Sequence, residues 1–371
     1  MTLLLSLYLT LISPLALPST APSDSINIEV RDFMRKWKLR GMQVCAMKDG
    51  EIVLERAYGW ADVESGQHMD TDNTLRIASV SKLFTATGIM VLRDRGLLAL
   101  DDRVFGDDGI LCEYNGAIRD RRYGIITVED LLRHEGGFSQ KGGDPMFSGR
   151  GGLDNDALLR RELARPLAFY PGTSMEYSNI GFLLLSMIIE KVTGEEYGEW
   201  MKANVLGPAG ISDMELAGNS PSDRLPSEVR YYTDDGCSDR CYVRDIRGLS
   251  GAGAWTASAS DLCRLAAVID GKNSVADIIR AESVMDMTCW FDPYTFSIGW
   301  NDTDPSKGWT RTGSYAGTSA LLWYFPDGQC WALITNTSSW KGSRFARNTK
   351  SLTRRLHQKF ISLSDNQTTI Q

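Results

Sequence analysis

Histidine is nearly missing from this chain, with three residues in 371. No Cys-x-x-Cys pair accompanies them, so the ligands for a dedicated zinc site are lacking, and no metal or other cofactor is expected. Basic tracts are also missing. Lysine and arginine are scattered and the formal net charge is −7, which argues against nucleic-acid binding because phosphates would find no focus of positive charge. No Gly-x-Ser-x-Gly elbow occurs, and Ser250 sits in only a near miss, so a Ser-His-Asp triad has no frame. His68 and His357 read as surface residues. Internal repeats and low-complexity segments are absent.

No apolar run is long enough for a comfortable membrane span. The uncharged stretch from Thr2 to Leu17 has instead the length of a signal-peptide apolar region, and Ser19-Thr20-Ala21 offers small residues for cleavage. The expectation is a signal peptide over 1–21, a secreted or secretory-lumenal protein, and no stable span after cleavage. An uncleaved N-terminal anchor is the alternative. No arginine precedes Arg31, which argues against a mitochondrial transit peptide.

Cysteine is odd in number, at seven, so at least one thiol stays unpaired within a monomer. Cys237 and Cys241 flank a short polar turn and form the one local disulfide candidate. Cys45, Cys263 and Cys330 lie in apolar runs and read as buried thiols. Asn-x-Ser/Thr sequons at Asn301, Asn336 and Asn366 are compatible with secretion.

What is present is ordinary soluble-protein composition, 43% hydrophobic and 23% charged, over a length that exceeds a single typical core. Apolar spacing predicts a helix over Asp24–Leu39. Strands follow at Met42–Ala46 and Ile52–Tyr58 about an Asp49-Gly50 hairpin turn. Helices are expected over Ser81–Arg95, from Thr127, over Asp156–Ala164, Asn179–Thr193, Glu196–Val205 and Thr256–Ile269, where Ser258 and Asp261 resemble a capping box. The stretch from Ser139 to Asn155 is Gly-rich and polar, a surface loop. Strands return at Phe296–Trp300, Gly308–Arg311, Ser319–Tyr324 and Cys330–Asn336, with Asp327-Gly328 as a second turn, before a helix over Arg344–Leu363. Strands at both ends of the chain without alternating helices point to an antiparallel sheet and an α+β fold.

Chemistry enters with Ser79 and Lys82, which share a face at the start of a helix. A serine hydroxyl needs a base to become nucleophilic, and lysine serves only if its amine is kept neutral. The spacing is not unique, since Ser338 and Lys341 repeat it. Tyr177-Ser178-Asn179 precedes the apolar helix. A phenol near a cation can pass a proton, and an asparagine can bond a substrate amide. Taken alone, that tripeptide reads rather as a helix start with an aromatic packed beneath it. Arg311-Thr312-Gly313-Ser314 lies on a strand, where backbone N–H groups can face an oxyanion, glycine permits close approach, and Arg311 offers a fork for a carboxylate.

In this order, Ser-x-x-Lys, Tyr-x-Asn and a basic residue followed by Thr-Gly resemble the serine β-lactamase and penicillin-binding-protein superfamily, in its class C β-lactamase and D-alanyl-D-alanine carboxypeptidase branch. Gly59-Trp60-Ala61-Asp62, Leu131 to Gly137, Pro171-Gly172, Gly251-Ala252-Gly253 and Gly317 extend the likeness over roughly 26–360. The resemblance implies an antiparallel sheet flanked by helices, formed by 24–77 and 285–363, a mainly helical domain over 78–284, and a flexible tail over 364–371. It implies Ser79 as acylated nucleophile, Lys82 as its base partner and Tyr177 as proton relay. Asn179, Arg311, Thr312 and Gly313 would bind substrate, and the N–H groups of Ser79 and Ser314 would form the oxyanion hole. Arg311 stands where the family carries Lys or His. His134 takes a structural place in the turn after its helix. The function implied is a serine hydrolase forming an acyl-enzyme on an amide or ester, such as a small peptide with a free carboxylate. A carboxylesterase or transacylase, and a catalytically weak ligand-binding or self-assembling relative, are the alternatives.

Overall fold

Two hairpins from opposite ends of the chain meet to make the main sheet. Asp49 and Gly50 both take positive φ, 50° and 82°, which a tight two-residue turn requires, and they reverse the chain between β1 (Gly41–Lys48) and β2 (Glu51–Asp62). Short β3 (Gln67–His68) follows, and β4 (Leu75–Arg76) pairs with the distant β5 (Thr256–Ala257). From the C-terminal side come β6 (Trp309–Tyr315), β7 (Thr318–Tyr324) and β8 (Gln329–Thr335). The six-stranded order is β3-β2-β1-β8-β7-β6, with every named neighbour antiparallel. This computed structural model describes residues 22–147, 152–289, 297–339 and 341–368. The expected leader, 1–21, lies outside the described residues.

Side chains along a strand alternate between faces, so a strand buried throughout needs cover on both sides. Met42, Val44 and Ala46 of β1 face one core with Leu321, Trp323, Trp331 and Leu333, while Cys45 and Met47 face the other. The first core is closed by α1 (Pro22–Trp37) and the terminal helix, whose Phe345 packs against Phe33 and Trp37. The second contains α2 (Ser81–Asp94), α3 (Val128–Leu132), α4 (Asn155–Leu163), α5 (Asn179–Thr193), α6 (Tyr197–Met201) and α7 (Ala259–Ala267). Next come α8 (Ala281–Thr288) and α9 (Gly342–Thr368). Capping agrees with the local sequence: Thr127 with Asp130 opens α3 and Ser258 with Asp261 opens α7, each as a reciprocal box. Gly194, at φ 73°, closes α5. Among the described residues no helix is long and apolar enough to cross a membrane.

Several expectations change. Thr256 and Ala257 form β5, so the helix there begins only at Ala259. Of the strand expected over Phe296–Trp300, Phe296 lies outside the described residues. The segment 297–300 forms bends, with Gly299 in the left-handed region against Leu83 and Ala86 of α2. The loop expected over Ser139–Asn155 is irregular where described up to Asp154, 148–151 lying outside, and Asn155 already opens α4. Helix α9 runs to Thr368, past the expected start of a tail. Cys237 and Cys241 are free thiols, not a disulfide. They belong to successive parts of one turn, with Cys241 buried against Gly317 and Cys237 beside Arg240. Cys45, Cys263 and Cys330 are buried. Asn336 is buried too, its amide donating to the carbonyls of Trp60 and Arg230, so that sequon serves structure and is closed to a glycan.

Candidate active site

From Asn73 to Leu92 every residue is buried except Ser79, which keeps partial exposure. The turn carrying it is built under constraint. Ala78 takes φ 47°, sparsely populated for a residue with a side chain, and Ser79 follows in a single 3₁₀ turn before α2. Arg76 anchors this turn from behind. Its guanidinium donates to the carbonyls of Cys241 (3.0 Å) and Gly218 (2.5 Å), faces Glu228 at 3.5 Å and lies over the rings of Tyr231 and Tyr242. Thr318 of β7 donates its hydroxyl to the Arg76 carbonyl at 2.6 Å, tying the turn to the sheet.

Gly313 explains how β6 comes so near. A Cβ on it would stand 2.1 Å from the Ile77 carbonyl and 3.0 Å from the backbone nitrogens of Ser79 and Val80. Only a residue without a side chain permits that approach. Strand β6 is the sheet edge, and its outward amides alternate with those facing β7. Thr310 donates outward to the Asp302 carbonyl (2.8 Å), and Thr312 donates both N–H (2.7 Å) and hydroxyl (3.0 Å) to Asn301 Oδ1. The same period turns the Ser314 N–H outward, and Ser314 is exposed at the end of this row.

Facing Ser79 is Tyr177, whose hydroxyl donates to Ser79 Oγ at 2.7 Å across 98 residues of sequence. Lys82 is fully buried. Its Nζ donates to Asn179 Oδ1 (2.6 Å) and the Ala252 carbonyl (2.5 Å), and sits 4.9 Å from the Tyr177 ring centre. Burial pushes the Lys82 amine below its ordinary range; the Tyr177 charge opposes this and the Arg311 cation reinforces it. Burial alone would raise the Tyr177 phenol, but Lys82 and Arg311, with hydrogen bonds from Lys82 and Ser79, bring it below the usual tyrosine value. Both adjacent groups thus have lowered pKa values, which favours the neutral amine at Lys82 and the phenolate at Tyr177, the pattern of acid–base machinery.

Arg311 lies deep in the site. It is 1% exposed, and its Nε donates to the Ser79 carbonyl at 2.8 Å. The guanidinium is turned onto the Ser79 backbone and the Tyr177 phenol and supports the site from beneath, while its Nη2 has no hydrogen-bond partner among the described residues. Thr312 is likewise held by Asn301, and Gly313 serves the close approach. Ser338, of the second Ser-x-x-Lys, accepts from the Gly317 N–H and lies outside this constellation.

Some members had no motif to announce them. Asp144, in the Gly-rich loop, accepts from Asn179 Nδ2 at 2.6 Å, so Asn179 bridges the Lys82 ammonium and a carboxylate. Loop composition was its only signal. The Ala252 carbonyl is backbone, though Gly251-Ala252-Gly253 did mark the segment. It is aimed by Ser250, held at φ 42°, while the Gly251 carbonyl accepts from Thr85 at 2.8 Å. His134 is buried, at φ 61°, with Nδ1 accepting the Ser178 N–H (3.1 Å) and its ring 4.5 Å from that of Tyr177. Burial, with Lys82 and Arg311 nearby, holds the imidazole well below its usual pKa, so it is a neutral platform for Tyr177.

Comparison with known proteins agrees with this arrangement. The chain is 31% identical over 215 residues to the esterase EstB of Burkholderia gladioli, covering 53% of this chain and 54% of that protein. It is 24% identical over 331 residues to a putative D-alanyl-D-alanine carboxypeptidase of Escherichia coli, covering 77% and 75%. The chain spans about half the length of curated relatives such as the esterase. The D-amino acid amidase of Ochrobactrum anthropi, solved with D-phenylalanine, superposes with a TM-score of 0.75 at 20% identity over 92% of this chain and 99% of that one. That likeness establishes a β-lactamase/transpeptidase-like fold. With a family model described as Beta-lactamase matching residues 28–353, this chain belongs to the beta-lactamase family.

Proposed function

We propose that this protein is a serine hydrolase that cleaves an amide or ester through an acyl-enzyme on Ser79. The observation that carries the reading is the 2.7 Å contact of Tyr177 Oη with Ser79 Oγ, beside the cations of Lys82 and Arg311. In the ionised form the phenolate takes the Ser79 proton as Oγ attacks the substrate carbonyl carbon. Lys82 keeps its proton for this, because Asn179 Oδ1 and the Ala252 carbonyl both accept from it; its part is to hold the phenolate and orient Asn179. This differs from the simple lysine-base assignment. The developing oxyanion meets the N–H groups of Ser79 and Ser314. Tyr177 then returns the proton to the leaving nitrogen or oxygen as the scissile bond breaks, leaving acyl-Ser79. A water attacks that ester with Tyr177 again as base, and Ser79 leaves reprotonated.

Incubation with a fluorophosphonate, followed by intact-mass spectrometry, should show one adduct, lost in Ser79→Ala. Absence of the adduct on folded wild-type protein overturns the reading. The relatives' names include an esterase and a carboxypeptidase, which supports amide or ester cleavage without selecting between them. The uncharged leader supports secretion as the second part of this proposal. N-terminal sequencing of protein exported from eukaryotic cells should begin near residue 22, and protein retained with an intact Met1 contradicts it.

A further inference from the structure

A cavity of about 490 Å³ opens beside Ser314, lined by Phe147, Arg240, Val243, Arg244 and Tyr315 among others. We propose that it is the acyl-group site of this hydrolase and takes an acyl chain with an apolar body and a terminal anionic group. The inference rests on the acyl-enzyme reading above.

Direction comes first. Tyr177 and Arg311 mark the side where the leaving group is protonated. Strand β6 runs from Arg311 to Tyr315 at about 3.4 Å per residue, so Tyr315 lies roughly 14 Å further along, past the Ser314 amide. A carbonyl held between the Ser79 and Ser314 N–H groups therefore sends its leaving group toward Tyr177 and its acyl chain toward the cavity. The volume is in the range of sites that enclose a small ligand.

Its walls then select the chain. The Phe147 and Tyr315 rings lie 6.0 Å apart, and Val243 is 77% exposed at the rim, a large apolar side chain left to solvent. The Arg244 guanidinium sits 5.3 Å over the Phe147 ring, and the Tyr315 hydroxyl donates to the Arg244 carbonyl at 3.4 Å. Arg240, on the same rim, is already engaged by Asp235. Arg244 forms no ion pair among the described residues. Most exposed arginines are simply solvated, but this one is stacked in place, at a cleft mouth, in a chain where 47 acidic residues outnumber 40 basic ones. With Arg311 turned inward, Arg244 is the cation that a substrate's carboxylate meets.

The test uses p-nitrophenyl esters of one chain length that end in carboxylate, methyl or ammonium, each rate divided by that variant's own acetate-ester rate. Wild type should favour carboxylate over ammonium by about fivefold or more at low salt, the scale of one accessible charge pair, with the preference shrinking as salt is added. Arg244→Gln should level the series and Arg244→Glu should invert it. If the acetate ester is cleaved but the wild-type series is flat, or Arg244→Glu leaves the order unchanged, this inference is overturned. If no ester is cleaved and Ser79 takes no fluorophosphonate, the underlying hydrolase reading falls instead.

Discussion

Replacing Gly313 by alanine adds one methyl group at the tightest point of the active site. The new Cβ would meet the Ile77 carbonyl at 2.1 Å, and the atoms it meets, including the Ser79 and Val80 nitrogens, are all backbone. No side chain can swing aside. Strand β6 and the Ser79 turn must part by about 1 Å, a displacement that costs roughly a hundredfold when it separates catalytic groups. Arg311 Nε would be pulled from the Ser79 carbonyl and the Ser314 amide from its place opposite. Overpacking should also cost about 1–3 kcal/mol, read as a lower urea midpoint at unchanged slope. The assay is the second-order rate of fluorophosphonate acylation, measured beside Gly116→Ala, where an added Cβ meets nothing within 4 Å. Gly313→Ala acylating at the wild-type rate with an unshifted midpoint would refute the argument that this glycine exists to seat the nucleophile.

Tyr177→Phe keeps the ring against His134 and removes the hydroxyl, so acylation should fall by about 10²–10⁴ while the urea midpoint hardly moves; an unchanged rate removes Tyr177 from the mechanism. The pH profile should be bell-shaped. Activity is lost as pH falls through the Tyr177 pKa, since the phenolate gains a proton, and again as pH rises through the Lys82 pKa, since the ammonium loses one. Both limbs should lie below the ordinary values of 10.0 and 10.5, and an acid limb at the ordinary tyrosine value would contradict the electrostatic account. Glu228→Gln strips the counter-charge from Arg76 in a pair whose side chains are 0% and 1% exposed, and should destabilise the fold by about 3–5 kcal/mol; a loss under 1 kcal/mol in urea unfolding would show that the two carbonyls and two tyrosine rings suffice.

The parts of this molecule that could be read from sequence are those whose cause is local. Asp49-Gly50 announces its turn because both residues tolerate positive φ, and Ser258 with Asp261 announces a helix start because each side chain answers the other's backbone. The clustering of Ser79, Lys82, Tyr177 and Asn179 was legible as well, since they carry their chemistry in side chains whose order is distinctive. What stayed hidden has long-range or backbone causes. Asp144 sits in a loop without periodicity, and the Ala252 carbonyl is no side chain at all. The inward turn of Arg311 depends on the Ser79 carbonyl, 232 residues away. Composition misled at 297–300, where apolar and aromatic residues suggest a strand but Gly299 bends the chain against α2.

The edge position of β6 has one more consequence. An uncovered sheet edge invites a second chain to pair with it, and here most of that hazard is met from within: the 301–302 segment occupies the outward amides at Thr310 and Thr312. The cover stops at Ser314. Among the described residues Ser314 is the outward rung of β6 left uncovered, and on the hydrolase reading proposed above an extended acyl chain bound there would continue the sheet. An open edge rung is ordinarily a liability; under the proposed function it becomes the place where substrate pairs, and one rung is too short to seat a whole foreign strand.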